Sequence, residues 1–131
     1  MENPPYVSTK SVSDDNKKNL EKFYNFSDDL YNHFYFRALE ILKENGILSY
    51  ITSKTFWTIQ TKKNLRELLL NNEILEIIDS GNPFKESAEV DTCIVVMKKN
   101  NEIIYKEEKI FYKNSLENNK NNIIIFLQFK K

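Results

Sequence analysis

The chain has 131 residues, of which 40% are hydrophobic and 13% aromatic, so it can bury the core of one small domain and is not a disordered chain. Lysine plus arginine number 19 and aspartate plus glutamate also number 19, which excludes a global positive field as the means of attracting nucleic acid. The sequence shows no signal peptide and no apolar run near the ~20 residues that cross a bilayer, so we expect a soluble cytoplasmic protein with no membrane partner.

The first motif in the chain is Asn3-Pro4-Pro5-Tyr6. The two prolines fix φ at about −65° and disfavour a helical conformation at Asn3. The Asn3 side-chain oxygen and the proline carbonyls are acceptors, and Tyr6 offers a flat ring with a polar tip. Such a loop can hold an amino group of a planar substrate between two acceptors. Asn-Pro and Pro-Pro are also ordinary turn signals, and Pro-Pro-Tyr can be a polyproline ligand, so the motif alone leaves these interpretations open.

Residues 7–25 are polar and predict either a mobile loop or a connector with a short helix around 17–23. Apolar residues at positions 30, 34, 38, 41 and 42 then predict an amphipathic helix over 28–44, capped by Ser27 or Asp28. His33 lies on this helix with no second metal ligand at a suitable spacing. We therefore expect a packed or surface histidine and no metal site.

The remaining pattern predicts an α/β fold, because helix and strand segments alternate through short turns. The predicted elements are a strand at 47–51, a helix with its core at 64–70, and strands at 74–79 and 90–97. The run 52–57 follows the first strand, where open α/β sheets place their ligand loops. About ten residues join the last two strands, too few for a helical crossover, so the final strand should be antiparallel. It is apolar enough to be buried on both faces.

Two single residues attract attention. Phe84 stands in a polar loop with no obvious core partner, and Cys93 lies in an apolar run that predicts a buried thiol rather than a nucleophile.

Only two glycines, Gly46 and Gly81, occur, and neither belongs to a glycine-rich loop that would cradle a cofactor. We divide the chain into a catalytic-looking domain at 1–100 and a charged, Asn-rich tail at 101–131 that ends in an apolar, strand-prone segment.

The joint order of these segments resembles the adenine-specific DNA methyltransferases of restriction–modification systems, most of all the branch in which methyltransferase and endonuclease are fused in one polypeptide. The resemblance covers residues 3 to about 100. It is carried by Asn3-Pro4-Pro5-Tyr6, Asp29-Leu30-Tyr31, the runs 42–46, 51–56, 65–69, 74–79 and 90–94, and Phe84.

The resemblance implies the C-terminal half of a Rossmann-like, S-adenosylmethionine-dependent methyltransferase sheet whose last strand is antiparallel. It also implies double-stranded DNA as the partner and an adenine flipped out of the duplex as the substrate. Asn3 and the Pro4 carbonyl would accept the two hydrogens of the adenine amino group. Tyr6 would stack on one face of the base, with Pro5 and Phe84 completing the substrate contacts.

The sequence departs from the family pattern at both ends. The family's cofactor-binding half precedes the Asn-Pro-Pro-Tyr motif, whereas only Met1 and Glu2 precede it here, and little follows residue 100 where a target-recognition domain would lie. We therefore expect a fragment of a split or degraded gene, inactive unless a second chain supplies the S-adenosylmethionine site. Two alternatives remain open: a non-catalytic remnant that serves as a DNA- or protein-interaction domain, and a methyltransferase acting on RNA or on a protein amide.

Overall fold

The computed structural model describes residues 1–86 and 89–100 in full and the backbone of residues 112–114. Within these residues the chain forms one four-stranded sheet and three α-helices. In chain order the elements are α1 (Asp14–Tyr24), α2 (Leu30–Ile41), β1 (Ile47–Ser53), α3 (Lys63–Leu70), β2 (Glu73–Gly81), β3 (Thr92–Lys98) and β4 (Tyr112–Asn114). Short 3-10 helices lie at Thr9–Ser11, Lys54–Trp57 and Gln60–Lys62.

The strand order is β1-β3-β2-β4, with β3 antiparallel to both of its neighbours and β4 parallel to β2. Ile94 of β3 lies opposite Ile51 on one side and Ile78 on the other. Because β1 and β2 both run against β3, they run parallel to each other and their carboxyl ends lie at the same edge of the sheet. This edge, next to the amino end of β3, carries the candidate site.

One face of the sheet forms the core under the helices. Tyr35 of α2 is fully buried, and its hydroxyl shares a 3.1 Å hydrogen bond with the Thr52 hydroxyl of β1. The Tyr35 ring also packs edge-on against Tyr50, with 5.0 Å between ring centroids. The buried residues at alternate positions of β1 and β3 are Leu48, Tyr50 and Thr52, paired with Met97, Val95 and Cys93.

Helix α3 covers the same core and also fixes the segment before it. Leu65 and Leu69 are buried at a spacing of four residues, and Leu68 packs partly buried against the same core. Arg66 is buried beside them, and its guanidinium donates to the carbonyls of Phe56 and Ile59 at 2.8 and 2.6 Å. These two bonds hold the turns between β1 and α3 against the helix.

The helix around 17–23 exists as α1, whereas α2 is shorter than the predicted 28–44. Asp29, not Ser27 or Asp28, occupies its N-cap position and makes no side-chain cap hydrogen bond. The helix ends at Ile41 because Leu42 is already extended, with ψ of 136°. Gly46 then packs closely on Leu42, where an added Cβ would lie 2.7 Å from Leu42 Cγ, so the turn into β1 requires a residue without a side chain.

The prediction that the third strand is buried on both faces is wrong. Cys93, Val95 and Met97 are fully buried, but Ile94 and Val96, on the opposite face, are only half-buried. The antiparallel orientation of β3 is confirmed. The predicted tail and its terminal apolar segment lie outside the described residues, apart from the backbone of β4. Among the described helices, none is both long and apolar enough to cross a membrane.

Candidate functional site

The loop formed by residues 3–6, called the 3–6 loop below, leaves the sheet at the edge where β1 and β2 end. Glu2 makes a parallel bridge to β1, in which its N–H donates to the Ser49 carbonyl and its carbonyl accepts from the Ile51 N–H, both at 3.0 Å. Asn3 therefore emerges toward the carboxyl end of β1. Pro4 is buried, which anchors the loop, while Asn3 is exposed.

Tyr6 closes the 3–6 loop onto the same strand. Its hydroxyl donates to the Ile51 carbonyl at 3.0 Å, and its ring packs edge-on against Tyr31, with 6.4 Å between centroids. Burial raises the pKa of Tyr6, and the charge of the Cys93 thiolate form would raise it further, so the hydroxyl stays a donor. The ring is thus fixed by its polar tip and by one edge.

A row of polar and aromatic groups continues from Tyr6 along the edge. The Tyr31 and Thr55 hydroxyls lie 3.1 Å apart in a hydrogen bond, and burial raises the pKa of Tyr31 far above its usual value. Ser53 ends β1 and caps the next turn, since its hydroxyl accepts from the Thr55 N–H at 3.3 Å. The row links the 3–6 loop to the turn that follows β1.

Beyond Thr55 the edge is hollow. A cavity of about 370 Å³ is lined by Thr55, Trp57 and Val90 among others, and it shares Glu89 and Asp91 with a second, more open cavity. That second cavity shares Asn82 and Lys85 with a third one, whose walls include Phe84. We call these three adjoining cavities the edge groove.

Phe84 lies in the turn directly after β2, half-buried, and its N–H donates to the Asn82 side-chain oxygen at 3.1 Å. Strands β1 and β2 are separated by β3, so their ends are about 10 Å apart. The structure therefore brings the 3–6 loop and Phe84 to one edge of the sheet. The walls of the edge groove do not include Asn3, Pro4, Pro5 or Tyr6, so the two parts are neighbours rather than walls of one cavity.

Sequence reasoning missed an ion-pair network at this edge. Lys54 Nζ lies 3.1 Å from Asp79 and 3.5 Å from Asp91. Burial works to lower the pKa of Lys54, but the hydrogen bond and charge of Asp79, helped by Asp91, outweigh it and leave the pKa above its usual value. The sequence does place a lysine just after one strand and aspartates near the ends of two others. These residues come into contact only because of the strand order, which the sequence pattern does not specify.

A second network fixes the chain after the 3–6 loop. Asp29 accepts from the Thr9 N–H at 2.9 Å and from the Thr9 hydroxyl at 3.2 Å. Lys62 is buried and donates to Asp29 at 2.7 Å and also to Asp28. Burial works to raise the pKa of Asp29, but the bonds from Lys62 and Thr9 prevail and hold it below its usual value. Thr9, three residues after Tyr6, is thereby tied to α2 and to the start of α3.

His33 is a packed residue, one of the two outcomes predicted for it. Its Nε2 accepts from the Asp28 N–H at 3.0 Å, and its ring stacks on Phe26, with 4.7 Å between centroids. Burial lowers the pKa of His33, and the opposing effect of Asp28 does not restore it. Cys93 is buried as predicted, and burial raises the pKa of its thiol to about 12. Within the described part of the chain, no group of three or more His, Cys, Asp or Glu residues could hold a metal ion.

A model of the Eco57I restriction-modification methylase family matches residues 2–85, more than half of the chain. The Type II restriction enzyme and methyltransferase RM.Eco57I of Escherichia coli is 32% identical over 108 residues, covering 76% of this chain and 11% of that protein. The Type II methyltransferase M.BstVI of Geobacillus stearothermophilus is 32% identical over 105 residues, covering 76% of this chain and 19% of its own length. The chain thus spans between a tenth and a fifth of the length of these relatives.

Solved structures agree with the fold. A chain of a type I restriction–modification system superposes with a TM-score of 0.67 at 14% identity, covering 86% of this chain and 22% of that one. A class I S-adenosylmethionine-dependent methyltransferase of Listeria monocytogenes gives a TM-score of 0.61 at 14% identity, covering 85% and 33%. The sheet is therefore the C-terminal half of a Rossmann-like methyltransferase sheet, as the resemblance implied. On this sequence and family match, the chain belongs to the Eco57I restriction-modification methylase family.

Proposed function

We propose that this chain is the base-holding part of an adenine-specific DNA methyltransferase, which transfers a methyl group to the amino group of an adenine flipped out of DNA. The observation that carries the proposal is the 3–6 loop, where an exposed Asn3 at the carboxyl edge of the sheet is followed by a buried Pro4 and by a Tyr6 that is fixed by its hydroxyl. This arrangement offers acceptors and a ring at one point of the surface, which suits a planar base that carries an amine.

In this proposal the Asn3 side-chain oxygen and the Pro4 carbonyl accept the two hydrogens of the amino group. Two acceptors hold the nitrogen in one orientation and direct its lone pair away from the loop. Because the Glu2 bridge and the buried Pro4 fix the backbone on either side of Asn3, the loop that carries the acceptors is in place before the base arrives. Removing a positioned polar partner of this kind costs about 100-fold or more in rate.

The aromatic residues have the complementary role of replacing the stacking that a flipped base loses. We propose that the Tyr6 ring stacks on one face of the adenine and that Phe84, with Pro5, contacts it from other sides. Base–aromatic stacking contributes about 1–3 kcal/mol per base, comparable to the few kcal/mol needed to unstack it. The solved DrdV–DNA complex, whose fold matches with a TM-score of 0.58, supports DNA as the polymer that carries the base.

The described residues do not by themselves fit S-adenosylmethionine. Neither of their glycines lies in a glycine-rich loop: Gly46 packs on Leu42 in the turn before β1, and Gly81 ends β2. The carboxylate of Asp79 at the end of β2 is mostly buried and paired with Lys54 rather than open to a ribose. We propose that a further segment, continuous with this chain or separate from it, holds the cofactor and that the complete enzyme acts in the cytoplasm.

Calorimetric titration of S-adenosylmethionine tests this division of roles. The titration is made into the purified chain alone and into an equimolar mixture with the polypeptide encoded immediately before it. We expect binding in the mixture and none to the chain alone. An absence of binding in both would contradict the proposal and favour the non-catalytic interaction domain. Tight binding to the chain alone would contradict the assignment of the cofactor site to another segment.

A further inference from the structure

Lys54 lies where the ends of three strands meet. It is the first residue after β1, and its N–H donates to the Asp91 carbonyl just before β3 at 3.0 Å. Its side chain reaches past β3 to β2, where Nζ lies 3.3 and 3.1 Å from the two carboxylate oxygens of Asp79. The same ammonium lies 3.5 Å from the carboxylate of Asp91.

The two carboxylates mark the places where the chain leaves β2 and enters β3. Asp79 also accepts from the Gly81 N–H at 2.9 Å, and Gly81 has a positive φ of 60° that favours glycine. The Thr92 hydroxyl donates to the Gly81 carbonyl at 3.2 Å and closes the base of the loop. The turn that carries Phe84 begins directly beyond this closure.

The burial of the side chains indicates which of the two ion pairs of Lys54 is the stronger. The side chain of Lys54 is 27% exposed and that of Asp79 only 13%, whereas that of Asp91 is 64% exposed. A pair with Asp79 is therefore less screened by water than the pair with Asp91. The raised pKa of Lys54 keeps the ammonium charged at neutral pH. Lys54 therefore holds β2 mainly through its ion pair with Asp79, and it holds the start of β3 through the backbone hydrogen bond to Asp91.

We propose that Lys54 is a positioning residue for base binding: by holding Asp79 and Asp91 together, it fixes both ends of the loop between β2 and β3 and so sets the place of Phe84. This inference rests on the proposed function only for the role of Phe84. Whether Lys54 holds the loop can be tested even if the proposed function is wrong.

The chain offers a matched control at the other end of the same strand pair. Lys98 of β3 lies 3.5 Å from Glu73 of β2, with side chains 35% and 38% exposed. Lys98→Met removes a lysine and a cross-strand ion pair but leaves the carboxyl edge untouched. Lys54→Met removes the cation at the edge, and Lys54→Arg keeps the charge while changing its shape.

Hydrogen–deuterium exchange of the full chain measures the loop directly. In Lys54→Met we expect the amides of residues 82, 84–86 and 89–91 to exchange about tenfold faster than in the wild type, since local opening sets these rates. Lys98→Met should leave them unchanged, and Lys54→Arg should restore at least part of the protection. Equal exchange in Lys54→Met and the wild type, or in Lys54→Met and Lys54→Arg, would overturn the proposal.

Steady-state kinetics of methyl transfer, measured in the mixture that binds S-adenosylmethionine, test the consequence for the base. Misplacing a stacking ring weakens binding of substrate and transition state alike, so Lys54→Met should raise KM for DNA with kcat unchanged. Combining Lys54→Met with Phe84→Ala should add little to Phe84→Ala alone, because both act through one ring. A fall in kcat at constant KM, or additive effects, would mean that Lys54 only supports the fold.

The two tests separate the inference from the function on which it rests. If the wild-type mixture methylates no DNA, the proposed function fails while the exchange data still decide whether Lys54 holds the loop. If the wild type methylates DNA and Lys54→Met behaves like Lys98→Met in both measurements, the function stands and the inference is wrong.

Discussion

Replacing Lys62 by methionine removes a buried cation and leaves two carboxylates without their partner. The Lys62 side chain is 5% exposed and its ammonium contacts both Asp28 and Asp29, whose side chains are 14% and 27% exposed. Removing one member of a buried pair costs about 3–5 kcal/mol, because the remaining charge has lost its water as well as its partner. Asp29 keeps about a quarter of its surface in water, so we expect about 3 kcal/mol, the lower end of that range.

The neighbouring residue provides the control. Lys63 forms an exposed pair with Glu67 one turn along α3, 3.4 Å apart, with side chains 63% and 56% exposed. Exposed pairs of this kind contribute at most about 0.5 kcal/mol, so Lys63→Met should change the stability little. The two variants lose the same chemical group from adjacent positions. Any large difference between them reports the burial of Lys62.

Urea unfolding of the full chain, followed by circular dichroism, measures both changes as shifts of the midpoint at constant slope. The free energy of unfolding of a typical domain is about 5–15 kcal/mol, so a loss of about 3 kcal/mol is a large part of it. If Lys62→Met unfolds near ambient conditions, its unfolding is measured at low temperature. Asp29→Asn added to Lys62→Met should recover part of the loss, since it removes one unpaired charge. If Lys62→Met and Lys63→Met agree within about 0.5 kcal/mol, the buried network does not stabilise the fold as argued.

Three further predictions concern single groups. The pKa of His33, followed by NMR, should lie below about 6.5, so that the chain loses stability as the pH falls from about 6.5 toward that pKa; His33→Gln should lack this loss, because the unfolded chain no longer takes up the extra proton. The Cys93 thiol should not react with a disulfide reagent at pH 8 in the folded chain and should react on unfolding; fast reaction of the folded chain would contradict its burial and its pKa of about 12. Tyr6→Phe should lower the free energy of unfolding by about 1 kcal/mol through loss of the bond to the Ile51 carbonyl, whereas an unchanged urea midpoint would show that this bond does not hold the ring.

Local patterns were sufficient for α2, α3 and β1 to β3 and for the direction of β3, because the short connection between β2 and β3 allowed only an antiparallel pair. The apolar spacing misplaced the packing face of α2, since Phe34 and Ile41 are exposed whereas Tyr31, Tyr35 and Leu39 are buried. Tyr31 and Tyr35 occupy that face because their rings pack in the core while their hydroxyls bond to Thr55 and Thr52.

The place of β3 between β1 and β2 could not be predicted from local patterns. The pairing of β1 with β3 joins residues that are 39 positions apart at Ser53 and Thr92 and 51 apart at Ile47 and Lys98, and nothing in either strand specifies the partner.

The candidate site was predicted in part for the same reason. The 3–6 loop is one continuous motif, so its acceptors and ring are adjacent whatever the fold. No local feature of the sequence separates Lys62 from Lys63, since both are lysines among polar neighbours just before the core of the predicted helix. Only the approach of Asp28 and Asp29 from α2 makes one of them a buried ion pair. Lys54 was missed likewise, since its partners come from two other strands.

The role of Asn3 as an acceptor for the adenine amino group is tested most directly by the identity of the methylated base. DNA of mixed sequence is incubated with S-adenosylmethionine and the chain mixed with the polypeptide encoded immediately before it, then digested to nucleosides and analysed by mass spectrometry. We expect N6-methyladenine with the wild type and with Asn19→Ala, an exposed asparagine of α1, and a loss of about 100-fold or more with Asn3→Ala. Methylation of another base, no methylated base at all, or equal methylation by Asn3→Ala would contradict the account.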